Sequence, residues 1–222
     1  MRTCARDHPG MYQRPLFRDR IDAGKILAQA LVSECEPDAV VIGLARGGIE
    51  VAAEVARALD LPLDAVAVRK IRHPAQPEYA LGAVSPADGV YLRSADGLTD
   101  DEIATAIALA LDEAEQLDRR LHADLLPLDV SGRQAIVVDD GLATAATMIA
   151  AVRWARGRGA AQVVAATPVA STEGVALLRN EADRVVCPYK LARFGAVGFW
   201  YHDFDQVSDE KAIRLLAHGS ST

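Results

Sequence analysis

The sequence between residues 137 and 148 reads Val137-Val138-Asp139-Asp140-Gly141-Leu142-Ala143-Thr144-Ala145-Ala146-Thr147-Met148. An apolar run ends in two carboxylates, a glycine turn follows, and two threonines stand three residues apart where a helix should begin, at about Thr144. Short, wholly apolar runs are typical of buried parallel strands. Ligands of such sheets bind in the loops at the carboxyl ends of the strands, so this stretch predicts both the fold class and the position of a site.

Similar patterns occur on both sides of this stretch. Further apolar strands are predicted at 39–43, 63–71, 163–166 and 185–186, and further helices from Asp19, after Gly48, from Thr99 and over 208–217. Alternating strands and helices predict an α/β fold, a mainly parallel sheet with helices on both faces. We expect an N-terminal arm at 1–18 and a single domain over 19–222. Residues 72–89 contain three prolines and two glycines, which predicts a long loop with little regular structure.

Composition narrows the classes of function. The formal net charge is −7, and an acidic chain is a poor candidate for general nucleic-acid binding. No apolar run approaches the length that spans a bilayer, about 18 residues, so no membrane partner is expected. The three cysteines are far apart in the sequence, which favours a reducing, cytoplasmic location.

The residues after the strand at 135–138 suit a sugar phosphate. Free amide groups at a helix N-terminus attract phosphate, Thr144 and Thr147 add hydroxyl donors, and small neighbours let a ligand approach the backbone. The carboxylates of Asp139 and Asp140 can accept hydrogen bonds from vicinal sugar hydroxyls. They can also help to hold a divalent cation through water.

The same residues resemble the signature by which type I phosphoribosyltransferases bind phosphoribosyl pyrophosphate (PRPP). That signature combines an apolar strand, two acidic residues and a Thr-Gly-x-Thr element. Ala145 stands where the family usually has glycine, which is tolerable if its φ is negative. Ala143 stands where hypoxanthine–guanine members carry aspartate and adenine members carry alanine.

Three further segments resemble the family in the same order along the chain. The loop that ends in Arg46-Gly47-Gly48 resembles the pyrophosphate loop. Arg69 and Lys70 resemble the basic pair before a mobile loop, here 72–89, that closes over the site. The aromatic segment 194–204 resembles a C-terminal hood, near 188–207, that covers the base. This segment is also similar to that of a bacterial group of predicted phosphoribosyltransferases without an assigned substrate.

The resemblance implies transfer of the 5-phosphoribosyl group from PRPP to a nitrogen heterocycle, with Mg²⁺ as cofactor and pyrophosphate as the product. Asp139, Asp140 and Lys70 are the candidate catalytic residues, and the two aspartates are the candidate metal ligands. The implied ligand-binding residues are Arg46, Gly47, Gly48, Arg69, Lys70, Asp139, Asp140, Gly141, Leu142, Ala143, Thr144, Ala145, Ala146, Thr147, Trp200 and Tyr201. The family's frequent dimers imply a homodimer.

Two other functions stay open at this stage. A relative that binds PRPP or a nucleotide without catalysis would carry the same motifs, and nothing in the sequence names a general base. A phosphohydrolase with Asp139 or Asp140 as nucleophile also places an aspartate after a buried strand. Its pattern needs a second aspartate two residues later, and this chain has Gly141 and Leu142 there.

Overall fold

The computed structural model describes residues 14–87, 89–95 and 97–219. The strands are β1 (Val40–Ala45), β2 (Leu63–Ala67), β3 (Arg69–His73), β4 (Gln76–Ser85), β5 (Gly89–Leu92), β6 (Gln134–Val138), β7 (Gln162–Ala166), β8 (Val169–Ser171), β9 (Arg184–Val186) and β10 (Tyr189–Leu191). The helices are α1 (Arg20–Leu31), α2 (Gly47–Leu59), α3 (Asp100–Leu121), α4 (Ala146–Gly157), α5 (Thr172–Leu178) and α6 (Asp209–Gly219), with a 3₁₀ turn at Val197–Trp200.

The main sheet has five parallel strands in the order β2-β1-β6-β7-β9. Its central strands β1 and β6 consist almost wholly of buried apolar residues, as the runs at 39–43 and 135–138 predicted. Successive side chains of a strand face opposite sides of its sheet. Ile42 accordingly packs in the cluster that contains α4, while Val41 packs in the cluster that contains α1 and α2.

Helices therefore cover both faces of the sheet, and the prediction of an α/β fold is confirmed. The buried residues of α3 are Ala106, Ala110, Ala114, Leu117 and Leu121, so the buried face of this helix is made largely of alanines. Helix α4 begins at Ala146, two residues later than expected, after a short irregular turn.

The prediction that residues 72–89 form a loop with little regular structure was wrong. Residues 72–73, 76–85 and 89 belong to the strands of an antiparallel sheet of β3, β4 and β5 that packs on α3 and α4. The prolines fall where a strand tolerates them: Pro74 and Pro86 lie in turns, and Pro77 lies near the exposed start of β4. Gly82 is required because any Cβ there would overlap the carbonyl of Tyr91 on the neighbouring strand.

The C-terminal segment around residues 189–204 forms a small cap beside the sheet. Strand β10 pairs with β8, and Phe194, Trp200 and Tyr201 pack together with Phe17. The backbone of Leu16 and Phe17 bonds to Trp200, so the described end of the expected arm is part of this cap. The arm's remainder, residues 1–13, lies outside the described residues.

Candidate functional site

The candidate site lies where the chain leaves the two central strands of the main sheet. β1 and β6 are parallel neighbours, so their carboxyl ends lie at the same edge. The helix after β1 covers one face of the sheet and the helix after β6 covers the other. The two loops therefore diverge and leave a crevice between them, at the topological switch point where open α/β sheets bind ligands.

Two glycines bring these loops into direct contact. A Cβ on Gly47 would overlap the carboxylate of Asp140, and a Cβ on Gly48 would lie 2.6 Å from the carbonyl oxygen of Val138. Neither glycine has a positive φ, so the reason for glycine is space. The peptide bond between Ala45 and Arg46 is cis. The predicted pyrophosphate loop and the acidic pair thus form one continuous surface.

The two aspartates occupy different electrostatic environments. Burial, together with the charge of Asp140, raises the pKa of Asp139 well above its usual range, although Arg20 and Lys70 act in the opposite direction. Burial also raises the pKa of Asp140, against the lowering effect of Arg20. The backbone amide of Asp140 donates to Oδ1 of Asp139 at 2.9 Å. The pair is therefore fixed by the backbone and surrounded by cations.

Arg20 is the main side-chain partner of Asp140, and nothing in the sequence marked it. It is the first residue of α1, its Nε lies 2.8 Å from Oδ2 of Asp140, and its Nη1 donates to the carbonyl of Asp205 at 2.7 Å. Its guanidinium lies 3.9 Å from the ring centre of Phe204. An arginine at the start of an amphipathic helix is usually solvated, so only the tertiary structure shows that this one is buried.

The helices that begin at this crevice have no side-chain caps. Neither Arg46 before α2 nor Ala145 before α4 makes a capping hydrogen bond, so the first amides of both helices are available to a ligand. Ala145 has φ −80°, which satisfies the condition for alanine in place of glycine. Thr144 is exposed and Thr147 is partly exposed beside these amides.

The basic pair lies at the start of β3. Arg69 is half-buried and its Nε lies 3.9 Å from Glu113 of α3, while Lys70 is exposed. The charge of Lys70 is one of the influences that lower the pKa of Asp139. Arg46 also faces this region, and its Nη1 lies 3.0 Å from Asp209.

Trp200 and Tyr201 are placed behind the site. Both are buried, Trp200 Nε1 donates to the carbonyl of Phe194 at 3.1 Å, and the Tyr201 hydroxyl donates to the carbonyl of Asp140. Their faces are therefore not open to a base. The aromatic ring that lines the crevice is Phe204, which is 36% exposed, and the aromatic content of the segment was the signal that could have indicated it.

One part of the crevice, beside Asp140, is a cavity of about 330 Å³ between Arg20, Arg46, Gly47, Asp140, Phe204 and residues 205–207, and residues 141–147 do not line it. A larger cavity of about 430 Å³ lies between the β3–β4 hairpin and α3. It shares Lys70 with the candidate site but contains neither aspartate. Apart from Phe204 and Val207, the residues that line the smaller cavity are charged, polar or small, which suits a polar, phosphorylated ligand.

The oxygen donors of the crevice fit a magnesium ion that a phosphorylated ligand carries. Within the described residues no group of three or more His, Cys, Asp or Glu side chains is arranged to hold a metal. Asp139 and Asp140 supply two carboxylates, one oxygen of which is already paired with Arg20. Mg²⁺ is commonly held by one or two carboxylates, waters and substrate phosphates, and this donor set matches that pattern.

Fold and site together define a class: an α/β domain with acidic and glycine-rich loops at the switch point of a parallel sheet. The model of the phosphoribosyl transferase domain matches residues 18–200. The chain belongs to this family, and the resemblance seen in its sequence is confirmed. A Mycobacterium tuberculosis protein named provisionally as a phosphoribosyl transferase is 42% identical over 208 residues, which are 90% of this chain and 46% of that protein. The chain thus spans about half the length of this relative.

Two other comparisons bear on the fold and on shorter segments. The crystal structure of TT1426 from Thermus thermophilus is 39% identical, with a TM-score of 0.79 over 94% of this chain and 100% of that one. A uracil phosphoribosyltransferase of Nocardioides is 42% identical over 77 residues, 35% of this chain and 36% of that protein. Across residues 14–87, 89–95 and 97–219, none of the helices combines the length and apolar character needed to cross a bilayer.

Proposed function

We propose that this domain transfers the 5-phosphoribosyl group of PRPP to a nitrogen of a heterocyclic base and releases pyrophosphate. One observation carries the proposal: Gly47 and Gly48 pack directly against the acidic pair, where any side chain would collide. This contact joins a loop suited to a diphosphate with a loop suited to a ribose phosphate. PRPP carries both groups on one sugar.

The binding roles follow from the two helix N-termini. The 5-phosphate binds residues 141–147, where the uncapped amides of α4 and the hydroxyls of Thr144 and Thr147 donate to it. The ribose hydroxyls bind Asp139 and Asp140. The diphosphate binds the start of α2 and the cations of Arg46, Arg69 and Lys70, the arginines through bidentate contacts.

The chemistry breaks the bond between ribose C1 and the diphosphate oxygen, whose electron pair leaves with the diphosphate. A base nitrogen donates its lone pair to C1, and the base loses its proton to solvent. Positive charge builds on the ribose as the bond stretches, and the nearby carboxylates stabilise it. The cations of the pyrophosphate loop stabilise the leaving group.

The acceptor base is proposed to be flat and to bind beside Phe204. The ring is 36% exposed where it lines the cavity, with the Arg20 guanidinium 3.9 Å from its centre and the Tyr201 ring packed against it at 5.0 Å. A flat base would therefore meet the ring edge, and edge-to-face contacts between aromatic rings are favourable. Uracil is the first base to test, because a uracil phosphoribosyltransferase is among the relatives that match over 77 residues.

The β3–β4 hairpin is proposed to take the closing role that the sequence assigned to a loop. Its tip at residues 74–79 is exposed, and Lys70 lies in the first strand of the same hairpin. Closure would exclude water and so prevent hydrolysis of PRPP. Shortening the tip should leave PRPP affinity unchanged but lower the transfer rate, and an unchanged rate would contradict this role.

Mg²⁺ bound with the diphosphate would neutralise part of its charge, with Asp139 and Asp140 as the protein's oxygen donors. A cytoplasmic location and a homodimer complete the proposal. The scattered cysteines support the location, and the frequent dimers of the family support the homodimer.

The experiment that tests transfer measures pyrophosphate release from PRPP over a panel of pyrimidine, purine and pyridine bases. We expect release with one class of base, and at least a 100-fold loss in Asp139→Asn/Asp140→Asn, because both carboxylates act on the transition state. PRPP binding without release for any base would favour a regulatory binding module. Hydrolysis of a simple phosphate ester would favour the phosphohydrolase.

A further inference from the structure

Three arginines from three different elements converge beside the candidate site. Arg46 precedes α2, Arg69 begins β3, and Arg120 lies in the last turn of α3. Burial lowers the pKa of Arg69, and the positive charges of Arg46 and Arg120 lower it further, while Glu113 and Asp209 oppose them. The three cations are thus close enough to repel one another, an arrangement that favours a polyanion between them.

Asp209 bridges two of these arginines. Its Oδ1 lies 3.0 Å from Nη1 of Arg46, and its Oδ2 lies 3.1 Å from Nε of Arg120. Burial opposes ionisation of Asp209, but the hydrogen bonds from both arginines lower its pKa overall. One carboxylate therefore joins a residue of the pyrophosphate loop to a residue that neither the sequence nor the family resemblance placed at the site.

We infer that Arg46, Arg69 and Arg120 form a diphosphate-binding cluster that the chain's own Asp209 occupies in the absence of ligand. Asp209 acts as an internal competitor, which the incoming diphosphate displaces from Arg46 and Arg120. Arg120 is then a third arginine for the leaving group. The inference rests on the proposed function, because that function identifies the ligand as the diphosphate of PRPP.

Charge and exposure support displacement. The cluster carries three guanidinium groups against the two carboxylates of Glu113 and Asp209, so a positive charge remains for a ligand. The side chains of Arg46 and Arg120 are 33% and 51% exposed. Pairs this exposed are worth about 1 kcal/mol or less each in general. A diphosphate, with a higher charge and more oxygens, should replace one carboxylate.

Asp209 begins α6, whose Lys211 bonds to Glu50 at 2.6 Å. Glu50 lies 3.9 Å from Arg20, the partner of Asp140. Helix α6 therefore contacts both ends of the candidate site, one through Asp209 and the other through Lys211. Displacing Asp209 would free the first contact while Lys211 keeps the helix in place.

The test titrates inorganic pyrophosphate into the whole chain by calorimetry. Asp209→Asn should bind it about fivefold more tightly than the wild type, because two exposed ion pairs no longer compete. Glu210→Gln is the matched control, since the next residue of the same helix loses the same charge but interacts with Ser208 and Arg214 rather than with the cluster, and it should leave the affinity nearly unchanged. Tighter binding in both variants would show that the loss of any negative charge on this helix raises the affinity, and it would overturn the inference.

Arg120→Gln tests the cluster independently and should weaken pyrophosphate binding about fivefold. Arg119→Gln is its control, because Arg119 pairs with Glu115 on the exposed face of the same helix. Unchanged or weaker binding in Asp209→Asn, or equal affinities in Arg120→Gln and Arg119→Gln, would overturn the inference.

PRPP titrations of the same proteins separate this result from the proposed function. If the wild type binds PRPP while Asp209→Asn binds pyrophosphate no better, the proposed function is supported and the role of Asp209 as internal competitor is contradicted. If no protein in the set binds either ligand, the proposed function and the role of Asp209 are both contradicted. Thermal melting of each variant identifies any loss of folding.

Discussion

Helices α3 and α4 begin in opposite ways. Thr99 caps α3 with a complete capping box: its hydroxyl accepts from the amide of Glu102, and the Glu102 carboxylate accepts from the amide of Thr99. Ala145 precedes α4 and offers no side-chain acceptor. Both helices are long and well packed, so the difference is local to their first turns.

The starts of the other described helices show the same difference in side-chain capping. Asp19, Ser171 and Ser208 accept from amides in the first turns of α1, α5 and α6. Only α2 and α4, among the α-helices of the described residues, begin with no side-chain cap. Both begin at the crevice. Unpaired amides at a helix start need a partner, and at these two helices we expect a ligand to supply it.

The C-terminal end of α3 is also held by side chains of the protein. His122 follows the helix, its Nε2 lies 2.9 Å from the buried Asp64, and its Nδ1 lies 3.4 Å from Asp118. Hydrogen bonds that the His122 ring donates to Asp118 and Asp64 raise the pKa of His122 to about 10, against the effect of burial. A side chain of the protein therefore hydrogen-bonds to a backbone group at each end of α3, Thr99 at its start and His122 at the carbonyl of Asp118, whereas the start of α4 has no side-chain cap.

The largest effect on stability is expected from His122→Gln. Breaking a buried ion pair costs about 3 kcal/mol, so the free energy of unfolding should fall by that order near neutral pH. The raised pKa stabilises the protonated form. Its contribution is therefore complete below about pH 6.5 and is lost as the pH rises through about 10. Urea unfolding of both proteins should show a difference that shrinks toward alkaline pH, and a pH-independent difference would contradict the charged pair.

The next effect is on binding, from Thr144→Asp. The new carboxylate would lie beside the uncapped amides of α4 and compete with the 5-phosphate. We expect about a 30-fold loss of PRPP affinity, roughly 2 kcal/mol, with little change in the free energy of unfolding because Thr144 is exposed. Calorimetry and urea unfolding of the same preparation measure both. Full PRPP affinity would mean that this helix start does not bind phosphate.

A smaller loss of binding should follow from Gly47→Ala. The added methyl group would displace the Asp140 carboxylate, and we expect about a tenfold lower PRPP affinity. Gly157→Ala at the end of α4 is the control, since its Cβ would be 3.9 Å from the nearest atom. That control should bind normally, and equal losses in both variants would rule out the packing explanation.

The smallest effect is expected from Thr99→Ala. Loss of the capping hydroxyl should lower the free energy of unfolding by about 1 kcal/mol, because the amide of Glu102 loses its partner. PRPP affinity should not change, since α3 begins away from the crevice. Chemical denaturation checks the first expectation and calorimetry the second. A loss of affinity would show that the two helix starts are coupled.

The sequence predicted the parts of the fold that depend on local pattern. The apolar runs at 39–43 and 135–138 indicated buried strands, and Thr99 indicated a helix start, because each is a short-range signal. The segment 72–89 was mistaken for a loop. Its prolines and glycines resemble turn signals unless their partners across the sheet are known, and Gly82 is explained only by the carbonyl of Tyr91.

The site was predictable where it is made of contiguous residues. The loops at 46–48 and 139–147 each carry a recognisable pattern, and the structure places them side by side. Arg20, Arg120 and Asp209 were missed because they lie up to 189 residues apart in sequence number, from 20 to 209, and each looks like an ordinary charged helix residue. Trp200 and Tyr201 were marked by their aromatic character, which does not distinguish a ring that seals the core from one that faces a ligand.

The most direct measurement is a calorimetric titration of PRPP, with Mg²⁺, into the wild type and into Asp139→Asn/Asp140→Asn. We predict saturable one-site binding by the wild type that weakens without Mg²⁺, and no measurable binding by the double variant if it remains folded. A wild-type protein that does not bind PRPP, or a folded double variant that binds it equally well, would contradict the assignment of this crevice to PRPP.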